Sequence, residues 1–292
     1  MAPFLFSIEF EMYLESEKRF SEHTIVAYNK DLNQFFDYLG INEKKELSEV
    51  TSKVIRGWMV ALISEGYTNK SVNRKLSTLR TYFKFLKKNE FITFNPLTGL
   101  NGPKIEKRLP QFANESDLSN QEIIKTLNLR DALIVELFYQ TGIRLNELIE
   151  LTTASLYDNK IKVKGKRNKE RIIPISQELN EQILNYRKDC ANQGFQSISL
   201  ILTDKGNKLY PKFVYRKINT YLGSATELQK CSPHVLRHTF ATHMLNNGAG
   251  IETIKALLGH SNLAATQVYT HNSFAQLNNI YSFAHPRGRK TD

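Results

Sequence analysis

Between residues 95 and 110 the chain reads Asn95-Pro96-Leu97-Thr98-Gly99, then Asn101-Gly102-Pro103-Lys104, then Lys107-Arg108-Leu109-Pro110. Proline removes a backbone donor and fixes φ, and asparagine and glycine favour turns, so neither a helix nor a strand runs through such a stretch. With few apolar side chains to anchor it, residues 101–110 are expected to be a linker between two folding units, residues 1–100 and 111–292. A chain of 292 residues with 41% hydrophobic side chains is long enough for each unit to bury its own core.

Residues 1–100 show helical periodicity with regularly spaced stop signals and no convincing strand. One helix is expected to run to about Gly40, with Ser21 or Thr24 as its cap and Leu32, Phe35, Phe36 and Leu39 on its apolar side. A second spans about residues 52–65, where Gly66 suits a left-handed end. A third follows Thr68 and Asn69. On it Val72, Leu76, Leu79, Phe83 and Leu86 form one stripe, while Lys70, Arg74, Lys84 and Lys88 point away. No acidic residue lies between Lys70 and Lys88. A purely cationic face is unusual for a merely solvated helix, so these four are candidate contacts to a DNA backbone, with a solvated face as the alternative.

The second unit is read as mixed. Residues 129–139 are strongly apolar and helical, broken at Thr141-Gly142 and resumed over 145–151. Alternation over 160–164 and the β-rich run 171–175 predict a hairpin across 165–170, with Lys166 at its tip. Helices are expected over 177–193, 212–222 and 234–247, and a short strand over 200–202. The expected fold is therefore mainly α with a small β-hairpin or sheet in the second domain.

A net charge of +11 and a pI near 9.4 make nucleic acid the leading partner. Cys190 and Cys231 are too few for a disulfide scaffold, and they lack a zinc or redox spacing. No apolar run reaches a membrane span, and the first residues lack the regions of a signal peptide. A cytoplasmic protein that does not enter a membrane is expected.

Candidate chemistry gathers in the second unit. Ser232-Pro233-His234 starts a helix with serine as cap and proline at the first position. His234 and Arg237 then share one face of a first turn whose free N-H groups suit an anion. His234, His238 and His243 are not expected to bind metal, since no carboxylate or cysteine completes the set and Arg237 lies among them. His238 is read as a buried, helix-supporting histidine. Leu257-Leu258-Gly259 closes a helix and leaves His260 on the following turn. Tyr269 lies nine residues further on. A phenol of pKa about 10 lies about 4 kcal/mol from ionised at pH 7, and neighbouring cations can offset that deficit.

These motifs resemble those of the tyrosine recombinases, nearest the Xer-type (XerC/XerD-like) members. The residues that carry the likeness are Thr141-Gly142-Ile143-Arg144-Leu145-Asn146-Glu147-Leu148, Gly165-Lys166-Arg167-Asn168-Lys169-Glu170-Arg171, the run from His234 through Arg237 to His243, Leu258-Gly259-His260, and Tyr269. The resemblance implies a two-domain architecture: a helical core-binding (SAM-like) domain followed by a mixed α+β catalytic domain. It further implies that Arg144 and Arg237 grip the scissile phosphate, that His234 and His260 bond it, and that His234 is the better placed to take the tyrosine proton. Lys166 protonates the leaving 5′ oxygen, Glu147 supports the basic cluster, and Tyr269 is the nucleophile of a 3′-phosphotyrosyl intermediate. Arg167 departs from the glycine common at that position, and Lys169 is an alternative general acid.

No metal or other cofactor is implied. The implied partners are double-stranded DNA and a homo- or hetero-tetramer on two duplexes, with a second recombinase as one form. An apolar stripe of Phe274, Leu277 and Tyr281, followed by Arg287, Arg289 and Lys290, is implied to dock on a neighbouring protomer, with packing on its own domain as the alternative. The implied role is chromosome dimer resolution. A mobile-element integrase, a type IB topoisomerase and a non-catalytic architectural DNA-binding protein are the competing readings.

Overall fold

Apolar stripes at helical spacing build the first unit on a helical core. The computed structural model describes residues 4–40, 47, 49–105, 111–165, 169–259 and 271–288. It divides into two units, Met1–Arg108 and Leu109–Asp292. The first contains α1 (Ser7–Met12), which continues into a π-helical turn, then α2 (Glu22–Leu39), α3 (Ser52–Ser64) and α4 (Asn69–Lys88). Their stripes meet in an aromatic core in which Phe35 lies 4.9 Å from Trp58 and Phe10 lies 5.1 Å from Tyr82, both edge to face.

Local chemistry sets the helix ends. Thr51 and Thr68 accept the N-H groups of Val54 and Ser71. Ser21 precedes α2, but its hydroxyl turns to Thr24 Oγ1 at 2.9 Å and does not cap the backbone. Gly40 closes α2 in the left-handed conformation, and Gly66 follows α3 at φ +87°.

The stripe of α4 is buried as expected, but its polar side is not uniformly free. Asp31, from α2 and only 1% exposed, accepts two bonds from Arg74, one from Lys75 at 2.9 Å and one from Thr78 at 3.0 Å. Lys88 pairs with Glu17 at 2.6 Å. Lys70 and Lys84 are exposed and have no ion-pair partner among the described residues. The anions come from other helices, so the charge count along α4 alone could not register them. The start of the breaker-rich stretch is held on α4: Arg80, Asn73 and Asn69 donate to the carbonyls of Leu100, Pro103 and Lys104.

The second unit runs α5 (Glu115–Leu118), α6 (Gln121–Lys125), α7 (Leu129–Thr141), α8 (Leu145–Ile149), β1 (Leu156–Tyr157), β2 (Lys160–Lys164), β3 (Glu170–Pro174), α9 (Gln177–Asn192), α10 (Pro211–Ala225), α11 (Pro233–Asn246), α12 (Ile251–Leu258) and α13 (His271–Ala284). Helix α7 is buried on nearly every side and packs against α9, α10 and α11. The sheet is antiparallel in the order β1-β2-β3, with Val163 opposite Arg171 and Lys164 opposite Glu170.

Strand β1 was not expected. It joins β2 through Asp158 and Asn159, both at positive φ, as a two-residue hairpin turn matched to strand twist requires. The short strand expected over 200–202 is reduced to isolated bridges, Thr152 to Ser199 and Leu202 to Lys208. Cys190 and Cys231 are free and buried. Among the described residues no helix is long and apolar enough to cross a membrane.

Candidate active site

Three elements converge where α7 ends. Gly142 caps α7 at φ +58°, and a Cβ there would come within 2.6 Å of Leu258 and 2.7 Å of Phe240, so only glycine permits this approach. Arg144 then begins α8 with its backbone extended. Glu147, one turn on, accepts the Arg144 backbone N-H at 2.8 Å and its Nη1 at 2.8 Å. Arg237, from the first turn of α11, donates through Nη1 to Gly142 O and through Nη2 to Leu258 O at 2.8 Å. Arg144 Nη2 reaches Gly259 O at 3.2 Å.

Arg171, on β3, completes the cluster. Its Nε donates to Leu257 O at 2.7 Å, and its two Nη atoms hold both Glu147 oxygens at 3.0 and 2.8 Å. Three guanidinium groups thus gather at the successive carbonyls 257, 258 and 259. Those carbonyls end α12, where acceptors lack intrahelical partners and the helix dipole is negative. Gly259 lies over Arg171 so closely that a Cβ would sit 3.1 Å from Nη1.

Three guanidiniums against one carboxylate leave two positive charges uncompensated, which is a site for an anion. Burial would raise the Glu147 pKa, but the bonds and charges of Arg171 and then Arg144 outweigh it and hold it at about 2. Burial, Arg144 and Arg171 lower the Arg237 pKa to about 10, still charged near neutral pH. His234 is exposed on the same turn as Arg237. Partial desolvation, then Arg237, His238, Lys230 and Arg144, push its pKa below the ordinary value, so near pH 7 it is neutral and able to accept a proton.

The structure corrects several expectations. Ser232 precedes α11 and Pro233 takes the first helical position, but the serine hydroxyl makes no cap. It is buried without a hydrogen-bond partner among the described residues, and the turn closes through Val235 N to Ser232 O at 2.9 Å. His238 is exposed; the buried histidine of α11 is His243, whose Nδ1 lies 3.0 Å from Tyr139 Oη. No group of histidine, cysteine and acidic side chains suited to a metal occurs among the described residues.

Of the expected site, Arg144, Glu147 and Arg237 form one network with His234 beside them, whereas Lys166, His260 and Tyr269 lie outside the described residues, as does Arg167. The flanks of the hairpin tip are described. Gly165 N donates to Lys169 O at 2.7 Å, and the stem lies beside Glu147. Sequence reasoning did not pick out Arg171 as part of this cluster. The signal was its period-two match with Ile173 and Ile175, which puts a guanidinium on the inward face of a strand.

The described part of the C-terminal stripe takes the alternative stated for it, packing on its own domain. Leu277, Tyr281 and Ala284 are buried against their own domain, and Tyr281 Oη donates to Gln140 at 3.2 Å. His285 Nε2 lies 3.1 Å from Tyr139 O, and Arg287 binds Glu136 and the Leu118 carbonyl. This stripe is covered because α13 presents it to α11 and β3 of the same chain. The Phe274 side chain, Arg289 and Lys290 lie outside the described residues.

The two halves of the chain match two family models: the Phage integrase family over residues 106–276 and the Phage integrase N-terminal SAM-like domain over residues 8–90. The chain, with its helical first unit and mixed second unit, belongs to the phage integrase family. Within it the chain is a tyrosine recombinase of Xer type, a site-specific DNA recombinase. It is 38% identical over 290 residues to Tyrosine recombinase XerC of Staphylococcus aureus strain USA300, covering 95% of each chain, and equally so to that of strain JH9.

Two solved structures share the fold. XerH site-specific recombinase bound to palindromic difH substrate in a post-cleavage complex aligns with a TM-score of 0.71 and 20% identity, over 94% of this chain and 84% of the other. A lambda integrase dimer bound to a COC′ core site aligns with a TM-score of 0.67 and 19% identity, over 87% and 93%.

Proposed function

We propose that the chain cuts and rejoins DNA strands through a 3′-phosphotyrosyl intermediate and a Holliday junction, in the service of chromosome dimer resolution. The observation that carries this reading is the cluster of Arg144 and Arg171 on the Glu147 carboxylate with Arg237 on the adjoining carbonyls, and a neutral His234 beside them. A guanidinium has five N-H donors. Arg144 and Arg237 each commit two to the bonds described above, so hydrogens remain on both for non-bridging phosphate oxygens, where charge grows in the transition state.

In this scheme Tyr269 attacks the phosphorus and its proton passes to His234. His260 bonds the phosphate, and Lys166 gives a proton to the leaving 5′ oxygen. The phosphotyrosyl ester conserves the bond energy, so the 5′ hydroxyl of a second strand reverses the step without a nucleotide. The fixed cations do the charge stabilisation that a metal performs in other phosphoryl transfers. Double-stranded DNA is the substrate, held by a homo- or hetero-tetramer on two duplexes in the bacterial cytoplasm, at the nucleoid. Lys70, Arg74, Lys84 and Lys88 contribute backbone contacts from the first domain.

The test is selection of a binding site from random duplex, followed by incubation with a nicked suicide duplex that carries it. A covalent protein–DNA complex must form with wild type and vanish in Tyr269→Phe. A complex that survives that substitution refutes the assignment.

A further inference from the structure

The recombination scheme gives no part to Arg171, although its guanidinium makes more bonds within the site than that of Arg144 or Arg237. Resting on the recombinase reading, we propose that Arg171 is a positioning residue that shares Glu147 and so leaves the Arg144 charge available to the scissile phosphate.

Glu147 is 6% exposed, and both its oxygens face Arg144, one at Nη1 and one at the backbone N-H. Were these two residues alone, the carboxylate would cancel the Arg144 guanidinium in a one-to-one pair. A neutralised arginine contributes little to a phosphate whose negative charge is growing. Arg171, also 6% exposed, donates a bond to each Glu147 oxygen. The carboxylate is then divided between two cations. The cation that stays buried is Arg171, while the Arg144 side chain is 38% exposed.

Geometry supports the same role. Through three bonds Arg171 ties β3, and with it the β2–β3 hairpin, to α8 by way of Glu147 and to the end of α12 by way of Leu257 O. A lysine in its place carries the charge but not the planar fork that meets both oxygens and a carbonyl at once. Gly259 permits this arrangement, because a side chain there would press on the Arg171 guanidinium.

The experiment measures single-turnover formation of the covalent complex on the nicked suicide duplex, alongside duplex affinity and thermal melting. Wild type must form the complex and Tyr269→Phe must not; failure of that control speaks against the parent reading alone. Arg171→Met is expected to cleave about 100-fold more slowly, the scale of one lost preorganised donor, with duplex affinity within about threefold. Arg171→Lys should fall between Arg171→Met and wild type.

The deciding variant is Glu147→Gln/Arg171→Met, which removes both members of the pair and leaves Arg144 its full charge. It is expected to cleave within about tenfold of wild type, a rescue that a merely structural role would not produce. The proposal is overturned if Arg171→Met cleaves within about threefold of wild type, or if the double variant, folded by its melting curve, is as slow as about 100-fold below wild type. Should Arg171→Met fail to fold, the double variant alone decides by the same limits.

Discussion

Lowering the pH should loosen the C-terminal segment from the second domain through a single side chain, His285. It is fully buried among Tyr139, Phe240 and Tyr281, with the Tyr281 ring stacked on it at 5.0 Å. Its Nδ1 accepts the Arg287 backbone N-H at 3.1 Å, so Nε2 carries the hydrogen and donates to Tyr139 O at 3.1 Å. A second proton would set N-H against N-H at Nδ1. Burial, outweighing the favourable bond to Tyr139 and aided by Arg287 and His243, lowers its pKa to about 3 from an ordinary 6.5.

Because the folded pKa is depressed, the unfolded chain binds the extra proton first. The contribution of His285 is therefore fully present above pH 6.5 and is lost as pH falls toward 3. Two-state linkage with these values gives a loss of about 2 kcal/mol between pH 7 and pH 5 from this residue alone.

His234 and His243 are also depressed, so wild type must be compared with His285→Asn, whose amide oxygen can replace Nδ1 as acceptor for Arg287. The assay is urea unfolding of the full chain at pH 7, 6 and 5. The one tryptophan, Trp58, lies in the first unit, so its fluorescence marks that unit's transition, and the remaining circular dichroism amplitude follows the second. The variant is expected to be less stable at pH 7 and to lose about 2 kcal/mol less on going to pH 5. Parallel curves for the two proteins over this range would refute the reasoning, since His285 would then titrate alike in both states.

Two further outcomes concern the site and the DNA surface. Gly142→Ala combines a left-handed φ with contacts under 3 Å to Leu258 and Phe240, and it should cost about 3 kcal/mol of second-domain stability by urea denaturation. It should also slow cleavage, because Gly142 O holds Arg237. Lys70→Ala and Lys84→Ala should each reduce the slope of log affinity against log salt by about 1, as expected for exposed lysines on phosphates. An unchanged slope in both variants would remove α4 from the interface.

What the sequence determined by itself follows from short-range rules. Helix periodicity and start and stop residues marked α2, α3, α4, α7 and α11, because those signals lie within a few residues of one another. Alternation placed the β2–β3 hairpin, and the breakers around residues 95–110 marked where two units part. Arg144, Glu147, His234 and Arg237 were legible as candidate site residues because each sits in a short motif, at a helix start, that resembles those of the tyrosine recombinases.

Tertiary structure alone decided which partners these side chains meet. Asp31 from α2 engages Arg74 and Lys75 on α4, so a face that is purely cationic along the chain is partly neutralised in space. His238, expected to be buried, is exposed, and His243 is the buried one, since helix periodicity does not say which side faces α7. Arg171 is 24 residues from Glu147 and 86 from Leu257. Only the folding of β3 against α8 and the end of α12 brings its guanidinium to a carboxylate and a carbonyl that water would otherwise separate. Burying a charge is favourable only when such partners arrive together.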